Sequence, residues 1–508
     1  MIRISLKVIS CIVTIIISGS FFISCSASKS QSLDEYINAY VSAMDFHGTI
    51  LVSQKENILH HKAYGLAERE WDVPNTLNSR YQIASISKPM TAFVVMNLVE
   101  SGLMKLDDPL SKYLPSFPRE KGDSITIHQL LTHTGGIGHY QDAPEIEAWK
   151  ERIPHTKDEL IQLFGEIPLV AKPGSKFAYS SFGYNLLAFA CESATGESFV
   201  QLMDKYVFKP TGMEHSNMMS EVDIIPGMTS GYEYKQLEGV QRTTPFHPSI
   251  VIGSGGVVCT AYDLYRFANY FFHSNQLSEE IRDLMTSRQA PVAPNYFYGY
   301  GWWLGTSTIA SCDYISHGGQ QNGYKSELWF YPRHNIIIVV LSNIRYNEGE
   351  WGYDEPKRPY IDGLKNNIVR LILGLPADAP QKSLAKELSR WILQYGTDAA
   401  IARYREIRHN LPKEYYSSEM EINMLGYNYY KIRRDFGTAS AILLQNVSDY
   451  PNSYNVYDTM GWLYDQIEAK VQARVWYLKG LEVYEKYPEE NKRWIRDVKK
   501  AQERFGKG

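Results

Sequence analysis

The feature that most constrains the fold is a pair of strand-like regions far apart in the chain. Residues 336–341, Ile-Ile-Ile-Val-Val-Leu, form the most β-branched run and predict a central, buried strand. Near the other end, residues 48–53 and 58–65 flank a polar turn and predict a hairpin. Helical patterns dominate the sequence between them. We therefore expect an α+β fold, in which an antiparallel sheet built from both ends is flanked by helices and carries a helical subdomain.

The remaining length indicates a second unit. The chain has 508 residues, which is more than one domain of ordinary size. We expect one domain over residues 33–375, a proline-containing linker at 376–382 and an all-helical region over 383–508. In this last region Gly426 and Gly461 are each followed three residues later by a tyrosine, a spacing similar to that of tetratricopeptide repeats. A plain helical cap is the alternative; repeats would provide a surface for a protein partner.

The charge balance argues against one class of partner. The 52 Lys and Arg residues are offset by 56 Asp and Glu residues, giving a net charge of −4. A broad basic surface is therefore not expected, and we expect no binding of nucleic acid.

The N-terminus predicts export. Basic residues precede an apolar run at 8–17, and small residues follow it, which is the order found in secretory signals. The sequence Phe-Ile-Ser-Cys ending at Cys25 resembles a bacterial lipoprotein signal, with Phe22 in place of the more usual leucine. We expect residues 1–24 to be a signal peptide, Cys25 to carry lipid and residues 25–32 to form a membrane tether. An ordinary secretory signal is the alternative; both place the protein in the periplasm or at the cell surface.

The candidate nucleophile is Ser85. Lys88 follows three residues later, and an apolar run at 92–99 then predicts a buried helix. Because residues three apart share a helix face, the Lys88 amine is expected beside the Ser85 hydroxyl. A lysine whose pKa is lowered by burial or nearby positive charge can help to remove the serine proton. The same spacing occurs twice more in the chain, without a strongly apolar run behind it.

Two further motifs complete a candidate site. Tyr179 and Ser181 form a Tyr-x-Ser sequence just ahead of a helical pattern. A tyrosine acts as a general base where nearby positive charge stabilises its phenolate. The sequence His317-Gly318-Gly319 opens a predicted strand, and glycine at a strand edge lets a substrate backbone lie close.

Other catalytic chemistries find less support. His128, His133 and His139 lack the spacing of a His-Glu-x-x-His zinc site. The Gly-x-Ser-x-Gly sequence of α/β-hydrolases is absent. We therefore expect no metal and no other cofactor.

The order of the three motifs resembles the serine β-lactamase and penicillin-binding family. Within it, the chain is similar to class C β-lactamases, their D-alanyl-D-alanine carboxypeptidase and esterase relatives, and the mitochondrial β-lactamase-like protein. The matching segments are residues 84–91, 130–137, 179–187, 255–264 and 317–319. The resemblance implies a β-lactamase/transpeptidase-like fold and a serine hydrolase that works through an acyl-enzyme.

The resemblance also implies catalytic roles. Ser85 matches the acylated nucleophile, and Lys88 matches the amine that helps to activate it. Tyr179 matches the general base and leaving-group acid. His317 takes the position of the lysine in the Lys-Thr-Gly motif.

Binding roles follow in the same way. The backbone N–H groups of Ser85 and Gln320 match the oxyanion hole. The residues implied to contact substrate are Ser181, Gly318, Gly319 and Tyr140.

Two departures from the class C pattern bear on the substrate. Ser181 replaces an asparagine that binds a substrate amide, and His317 replaces a lysine that attracts a substrate carboxylate. A histidine is mostly neutral at pH 7. We rank peptide or amide hydrolysis first, small ester hydrolysis second and β-lactam hydrolysis third. The alternative is a catalytically weak penicillin-binding sensor or scaffold that binds a partner through the helical region.

Overall fold

The computed structural model describes residues 32–142, 152–274, 277–309, 312–346 and 361–505. The strands are β1 (Gly48–Gln54), β2 (Asn57–Tyr64), β3 (Leu66–Glu68), β4 (Val73–Pro74), β5 (Tyr81–Gln82), β6 (Asn217–Met218), β7 (Tyr232–Lys235), β8 (Gly239–Arg242), β9 (Val257–Cys259), β10 (Ala290–Ala293), β11 (Tyr296–Tyr298), β12 (Trp303–Ser307), β13 (Cys312–Gln321), β14 (Tyr324–Tyr331), β15 (Ile336–Ser342), β16 (Ile344–Tyr346), β17 (Lys382–Ser383) and β18 (Tyr415–Tyr416).

The helices before residue 373 are α1 (Leu33–Met44), α2 (Ser87–Glu100), α3 (Arg119–Gly122), α4 (Ile127–Leu131), α5 (Lys157–Glu166), α6 (Ser181–Thr195), α7 (Phe199–Met203), α8 (Lys209–Thr211), α9 (Ala261–His273), α10 (Glu279–Met285) and α11 (Ile361–Ile372). Those after it are α12 (Leu384–Tyr395), α13 (Thr397–Asn410), α14 (Glu419–Arg433), α15 (Phe436–Asp449), α16 (Tyr454–Gln466), α17 (Lys470–Lys486), α18 (Pro488–Asn491) and α19 (Ile495–Phe505). We call residues 383–505 the tail.

An eight-stranded sheet forms the centre of the N-terminal unit, in the order β10-β11-β12-β13-β14-β15-β1-β2. Strand β1 pairs antiparallel with β15 on one side and with β2 on the other. Every residue of β15 is buried, as its β-branched sequence predicted. The expected antiparallel sheet assembled from both ends of the unit is therefore confirmed.

Helices cover both faces of this sheet. Helices α1 and α11 supply Tyr36 and Leu364 to a core that includes Ile338 of β15. On the opposite face, α2 supplies Met90 to a larger core that includes Val339. Ile338 and Val339 are consecutive, so the alternation of side chains along β15 supplies both cores. The larger core lies on the face that carries the candidate site.

The tail consists largely of three successive helical hairpins, α12–α13, α14–α15 and α16–α17. Gly426 lies against Leu443 of the next helix, and Gly461 lies against the ring of Tyr477. A Cβ atom on either glycine would come within 2.8 Å of that neighbour, so each glycine permits close helix packing. The recurring glycine thus has a packing role in two hairpins; the tetratricopeptide interpretation and the boundary at 376–382 stay predictions.

Within the described residues, every helix is too short or too polar to cross a lipid bilayer.

A hairpin of the N-terminal unit inserts into the tail. Strands β7 and β8 belong to the small sheet β16-β7-β8, and Leu237 stands at their connecting turn. Leu237 is only 2% exposed and belongs to the hydrophobic core of the tail. Ser389 donates a hydrogen bond to the Gln236 carbonyl over 2.5 Å, and Arg433 donates one to the Leu237 carbonyl over 3.0 Å. The two parts of the chain therefore share a core residue.

Candidate active site

Ser85 and Lys88 meet at the start of α2, as their spacing predicted. Ser85 lies in a 3-10 turn, Ala84–Ile86, that runs into the helix. The Lys88 Nζ atom lies 2.9 Å from the Ser85 Oγ atom. It also lies 2.9 Å from the Ser254 carbonyl oxygen and 3.3 Å from the Ser181 Oγ atom. Lys88 is fully buried, and this burial lowers its pKa well below the ordinary value, because a charged ammonium loses its hydration there.

The backbone just before Ser85 adopts a rare conformation. Ala84 has φ of +48°, in the left-handed region that residues with side chains seldom occupy. The preceding residue is held on two sides, since the Ile83 N–H donates to the Val257 carbonyl and Ser326 Oγ donates to the Ile83 carbonyl. Such conformations persist where the surroundings fix them, and they cluster at functional sites.

Tyr179 reaches the Ser85 hydroxyl from outside α2. The packing around the phenol removes water that would stabilise a phenolate, and this raises the pKa of Tyr179. A hydrogen bond with the Ser85 side chain offsets part of that rise. The Lys88 Nζ atom lies 5.0 Å from the centre of the Tyr179 ring. The loss of hydration thus lowers the pKa of Lys88 and raises that of Tyr179, and both changes favour the neutral form of the group.

His317 lies on β13 and is almost completely buried. Its Nδ1 atom lies 2.7 Å from the Gly318 carbonyl oxygen, which can only accept a hydrogen bond, so Nδ1 carries the hydrogen. Its Nε2 atom then accepts from the Tyr298 hydroxyl over 3.0 Å. Burial, with a smaller contribution from the Lys88 charge, lowers the pKa of His317 to about 3. The ring is therefore neutral at physiological pH.

The edge of β13 passes close to Ser85. Strand β12 pairs with β13 only as far as Ser316, so the following residues are not paired with β12. A Cβ atom at Gly319 would lie 2.1 Å from the Ile83 carbonyl oxygen, which leaves no room for a side chain. Gly319 thus allows β13 to approach the turn that carries Ser85; Gln320 is the next residue of that strand. A Cβ atom at Gly318 would lie 2.9 Å from a carboxylate oxygen of Glu327.

The two other predicted substrate contacts have partners within the protein. Ser181, the first residue of α6, is 5% exposed and points its hydroxyl at Lys88. The Tyr140 ring stacks on Phe246 at 5.9 Å with an interplanar angle of 5°, and it meets the edge of Phe182 at 4.9 Å. Ser181 is therefore placed to orient the amine, and Tyr140 contributes to an aromatic wall.

Sequence reasoning missed Asn185. This fully buried side chain accepts hydrogen bonds from the backbone N–H groups of Gly253 and Ser254, over 3.0 and 3.1 Å. Its Nδ2 atom donates to the Ile250 carbonyl over 2.7 Å. Asn185 thereby fixes the loop whose carbonyl binds Lys88. An asparagine inside the otherwise largely apolar stretch 182–191 was the available signal.

His133, considered above only as a metal ligand, supports Tyr179 instead. Its Nδ1 atom accepts a hydrogen bond from the Ser180 backbone N–H over 3.1 Å. Its ring centre lies 4.3 Å from that of Tyr179 and 4.6 Å from that of Tyr298. The ring packing, with the hydrogen bond, fixes the position of the Tyr-x-Ser segment.

Comparison with known proteins identifies the family of the chain. Residues 33–360 match the Beta-lactamase family. Penicillin-binding protein 4* of Bacillus subtilis (strain 168) is 26% identical over 408 residues, which cover 75% of this chain and 86% of the relative. Esterase EstB of Burkholderia gladioli is 28% identical over 363 residues, covering 63% and 92% respectively. The crystal structure of a penicillin-binding protein from Bacillus halodurans has a TM-score of 0.55 and 27% identity, covering 61% of this chain and 94% of that one. The family match, the fold and the serine–lysine–tyrosine site together show that the chain belongs to the Beta-lactamase family of serine hydrolases.

Proposed function

We propose that the protein is an exported hydrolase that forms an acyl-enzyme on Ser85 and cleaves a peptide or amide bond, or a small ester. One observation carries the proposal: a buried lysine, whose pKa is lowered, lies 2.9 Å from the Ser85 hydroxyl. A neutral amine accepts a proton, and a serine hydroxyl needs such an acceptor to become a nucleophile.

The contacts of Lys88 account for the direction of proton transfer. A neutral amine has two N–H groups, and these match the Ser254 carbonyl and the Ser181 hydroxyl. The lone pair then faces Ser85. As the Ser85 oxygen attacks the substrate carbonyl carbon, its proton passes to Lys88, and the developing oxyanion is placed at the backbone N–H groups of Ser85 and Gln320.

Tyr179 completes the cycle. In acylation its neutral phenol gives a proton to the leaving group, and the ammonium of Lys88 returns a proton to the phenolate. In deacylation a water attacks the acyl carbon, its proton passes to the Tyr179 and Lys88 pair, and Ser85 leaves with a proton. Within each step, the positive charge that forms on Lys88 lies 5.0 Å from the centre of the Tyr179 ring and stabilises the transient phenolate until the proton is returned.

The neutral His317 bears on the substrate. A lysine at this position would attract a carboxylate, whereas His317 has a pKa of about 3 and both ring nitrogens engaged. This supports amide and ester substrates over penicillins and cephalosporins, which carry a carboxylate. The named similarity to an esterase supports the same ranking. A penicillin-binding sensor that binds a protein through the tail is the second candidate, supported by the helical hairpins.

Covalent labelling tests the proposal. Incubation with a fluorophosphonate should add one phosphonyl group to the wild-type protein by intact-mass spectrometry, and Ser85→Ala should add none. Ser383→Ala is a matched control, because a lysine also stands three residues after Ser383; it should label as the wild type does. Labelling of Ser85→Ala, or turnover within about tenfold of wild type, would refute the mechanism.

We also propose that the mature protein is anchored by lipid on Cys25. The basic, apolar and small-residue order before Cys25 supports this, although that segment lies outside the described residues. Wild-type protein should fractionate with membranes, and Cys25→Ala should be released or left unprocessed. A wholly soluble wild-type protein with another amino terminus would contradict the proposal.

A further inference from the structure

Three nearly parallel aromatic rings lead away from the candidate active site. The rings of Tyr179 and Trp303 are 5.9 Å apart with an interplanar angle of 13°. The rings of Trp303 and Tyr296 are 5.0 Å apart with an angle of 2°. All three side chains are partly exposed. We call them the aromatic row; it begins at the phenol that, in the proposed mechanism, protonates the leaving group.

Neighbouring rings fix the middle member of the row. Tyr298 meets Trp303 edge-on at 4.7 Å and 79°, and Phe177 does so at 5.6 Å and 60°. Edge-to-face contacts of this kind are favourable and directional. Trp303 is therefore held in place before any ligand arrives, so a ligand ring would lose little free energy in ordering it.

The surroundings of the row do not favour an anion. The His317 ring, 6.1 Å from Trp303, is neutral. Lys325, which lies opposite Gln320 on β14, is 2.9 Å from the Glu327 carboxylate, so its charge is already compensated. A carboxylate brought beside the row would lose hydration without gaining a strong partner.

We propose that the aromatic row is the leaving-group subsite, and that it selects substrates whose leaving group is aromatic or apolar and carries no carboxylate. The inference rests on the proposed function, because it requires Tyr179 to be the acid. In an aryl ester, the bond from Ser85 Oγ to the acyl carbon forms and the bond from that carbon to the aryl oxygen breaks. The Tyr179 proton goes to the aryl oxygen, and the released phenol lies against the exposed edge of the aromatic row, beside Trp303.

Three acetates that give the same acetyl-enzyme provide the test. Their leaving groups are phenol, 3-hydroxybenzoate and trifluoroethanol. In the wild type, kcat/KM should be about tenfold higher or more for phenyl acetate than for the carboxylate-bearing ester. Trp303→Ala should lower kcat/KM for phenyl acetate about tenfold and for trifluoroethyl acetate by less than about twofold. Trp303→Phe should restore most of the loss.

The rate of deacylation separates this role from a structural one. The leaving group has departed before deacylation, so hydrolysis of the acetyl-enzyme should be unchanged in Trp303→Ala. Trp71→Ala is a matched control, since Trp71 is 79% exposed on the β3–β4 turn; it should leave all rates unchanged. An equal loss for all three acetates, or slower deacylation, would overturn the proposal by showing that Trp303 merely supports Tyr179. If Ser85→Ala still turns over the acetates, the proposed function itself fails, and that outcome is distinct from either of these.

Discussion

Lys88 donates a hydrogen bond over 2.9 Å to the main-chain carbonyl of Ser254, so an uncharged group positions the amine. A carboxylate in its place would have raised the pKa of Lys88. The carbonyl is itself fixed, because Asn185 binds the Ser254 N–H and Thr91 binds the carbonyl of Gly253 over 2.6 Å. The loop thus orients the amine while leaving it free to gain and lose a proton.

The burial of Lys88 predicts a pH-dependent stability. The folded pKa lies well below the unfolded value, so folding releases a proton at any pH between the two. Between these two pKa values, the free energy of unfolding of the wild type should increase with pH, relative to that of Lys88→Met. The slope should be up to about 1.4 kcal/mol per pH unit, and the stability is lost again as the pH is lowered. Urea unfolding of both proteins between about pH 6 and pH 9 measures the difference. Parallel pH profiles would mean that Lys88 keeps its proton in the fold.

The catalytic pair predicts a kinetic result. Lys88→Ala and Tyr179→Phe should each lower turnover of an ester by a factor on the order of 10³ or more, because such groups act as a unit. In the wild type, kcat/KM should fall as pH falls through the pKa of Lys88, since the protonated amine accepts nothing. Steady-state kinetics across pH check both points, with Ser383→Ala as the control. If turnover decreased by less than about tenfold in either variant, the substituted residue would not have the proposed catalytic role.

The close approach of β13 predicts that Gly319 tolerates no side chain. Gly319→Ala would force its Cβ atom against the Ile83 carbonyl, 2.1 Å away, and displace the strand from the Ser85 turn. A displacement of about 1 Å lowers catalysis by a factor on the order of 10², so labelling of Ser85 should slow by that much. Gly437→Ala is the control, because its nearest atom stands at an ordinary 3.5 Å. Equal labelling rates in the two variants would show that β13 can yield.

The neutral His317 predicts poor activity on antibiotics. Penicillins and cephalosporins should be hydrolysed slowly, beside measurable cleavage of a peptide or ester under the same conditions. Nitrocefin turnover with kcat/KM near about 10⁷ M⁻¹s⁻¹ would reverse the ranking of substrates. A continuous absorbance assay gives the constant directly.

The burial of Leu237 predicts that the tail stabilises the N-terminal unit. Leu237→Ala should lower the free energy of unfolding by about 2–5 kcal/mol, because it opens a cavity in the tail core. Leu393→Ala, at a position 60% exposed on α12, is the matched control and should change it by less than about 0.5 kcal/mol. Chemical denaturation compares the two. If the variants unfold alike, the contact seen at Leu237 contributes nothing to stability.

Local patterns predicted much of the molecule. The meeting of Ser85 and Lys88 follows from helix periodicity, and the central strand follows from the β-branched run that became β15. Ser254 as a partner of Lys88 could not be predicted, because that contact depends on how a distant loop packs against α2 and α6. Leu237 gave no signal either, since a single apolar residue in a polar turn is ordinary on protein surfaces. Single contacts made by loops and turns with distant helices were thus the part that the sequence pattern left open.

The shared core at the β7–β8 turn also sets an order of events during synthesis. A chain made from its amino terminus presents Leu237 long before α12 and α14, which hold this turn by hydrogen bonds, have been added. The strand after Leu237 leads through residues 243–253 to the Ser254 carbonyl that holds Lys88, so the hairpin ahead of this segment is covered only after α14 has been made. In a product that lacks these helices because of proteolytic nicking or early termination, Leu237 would therefore be exposed to solvent.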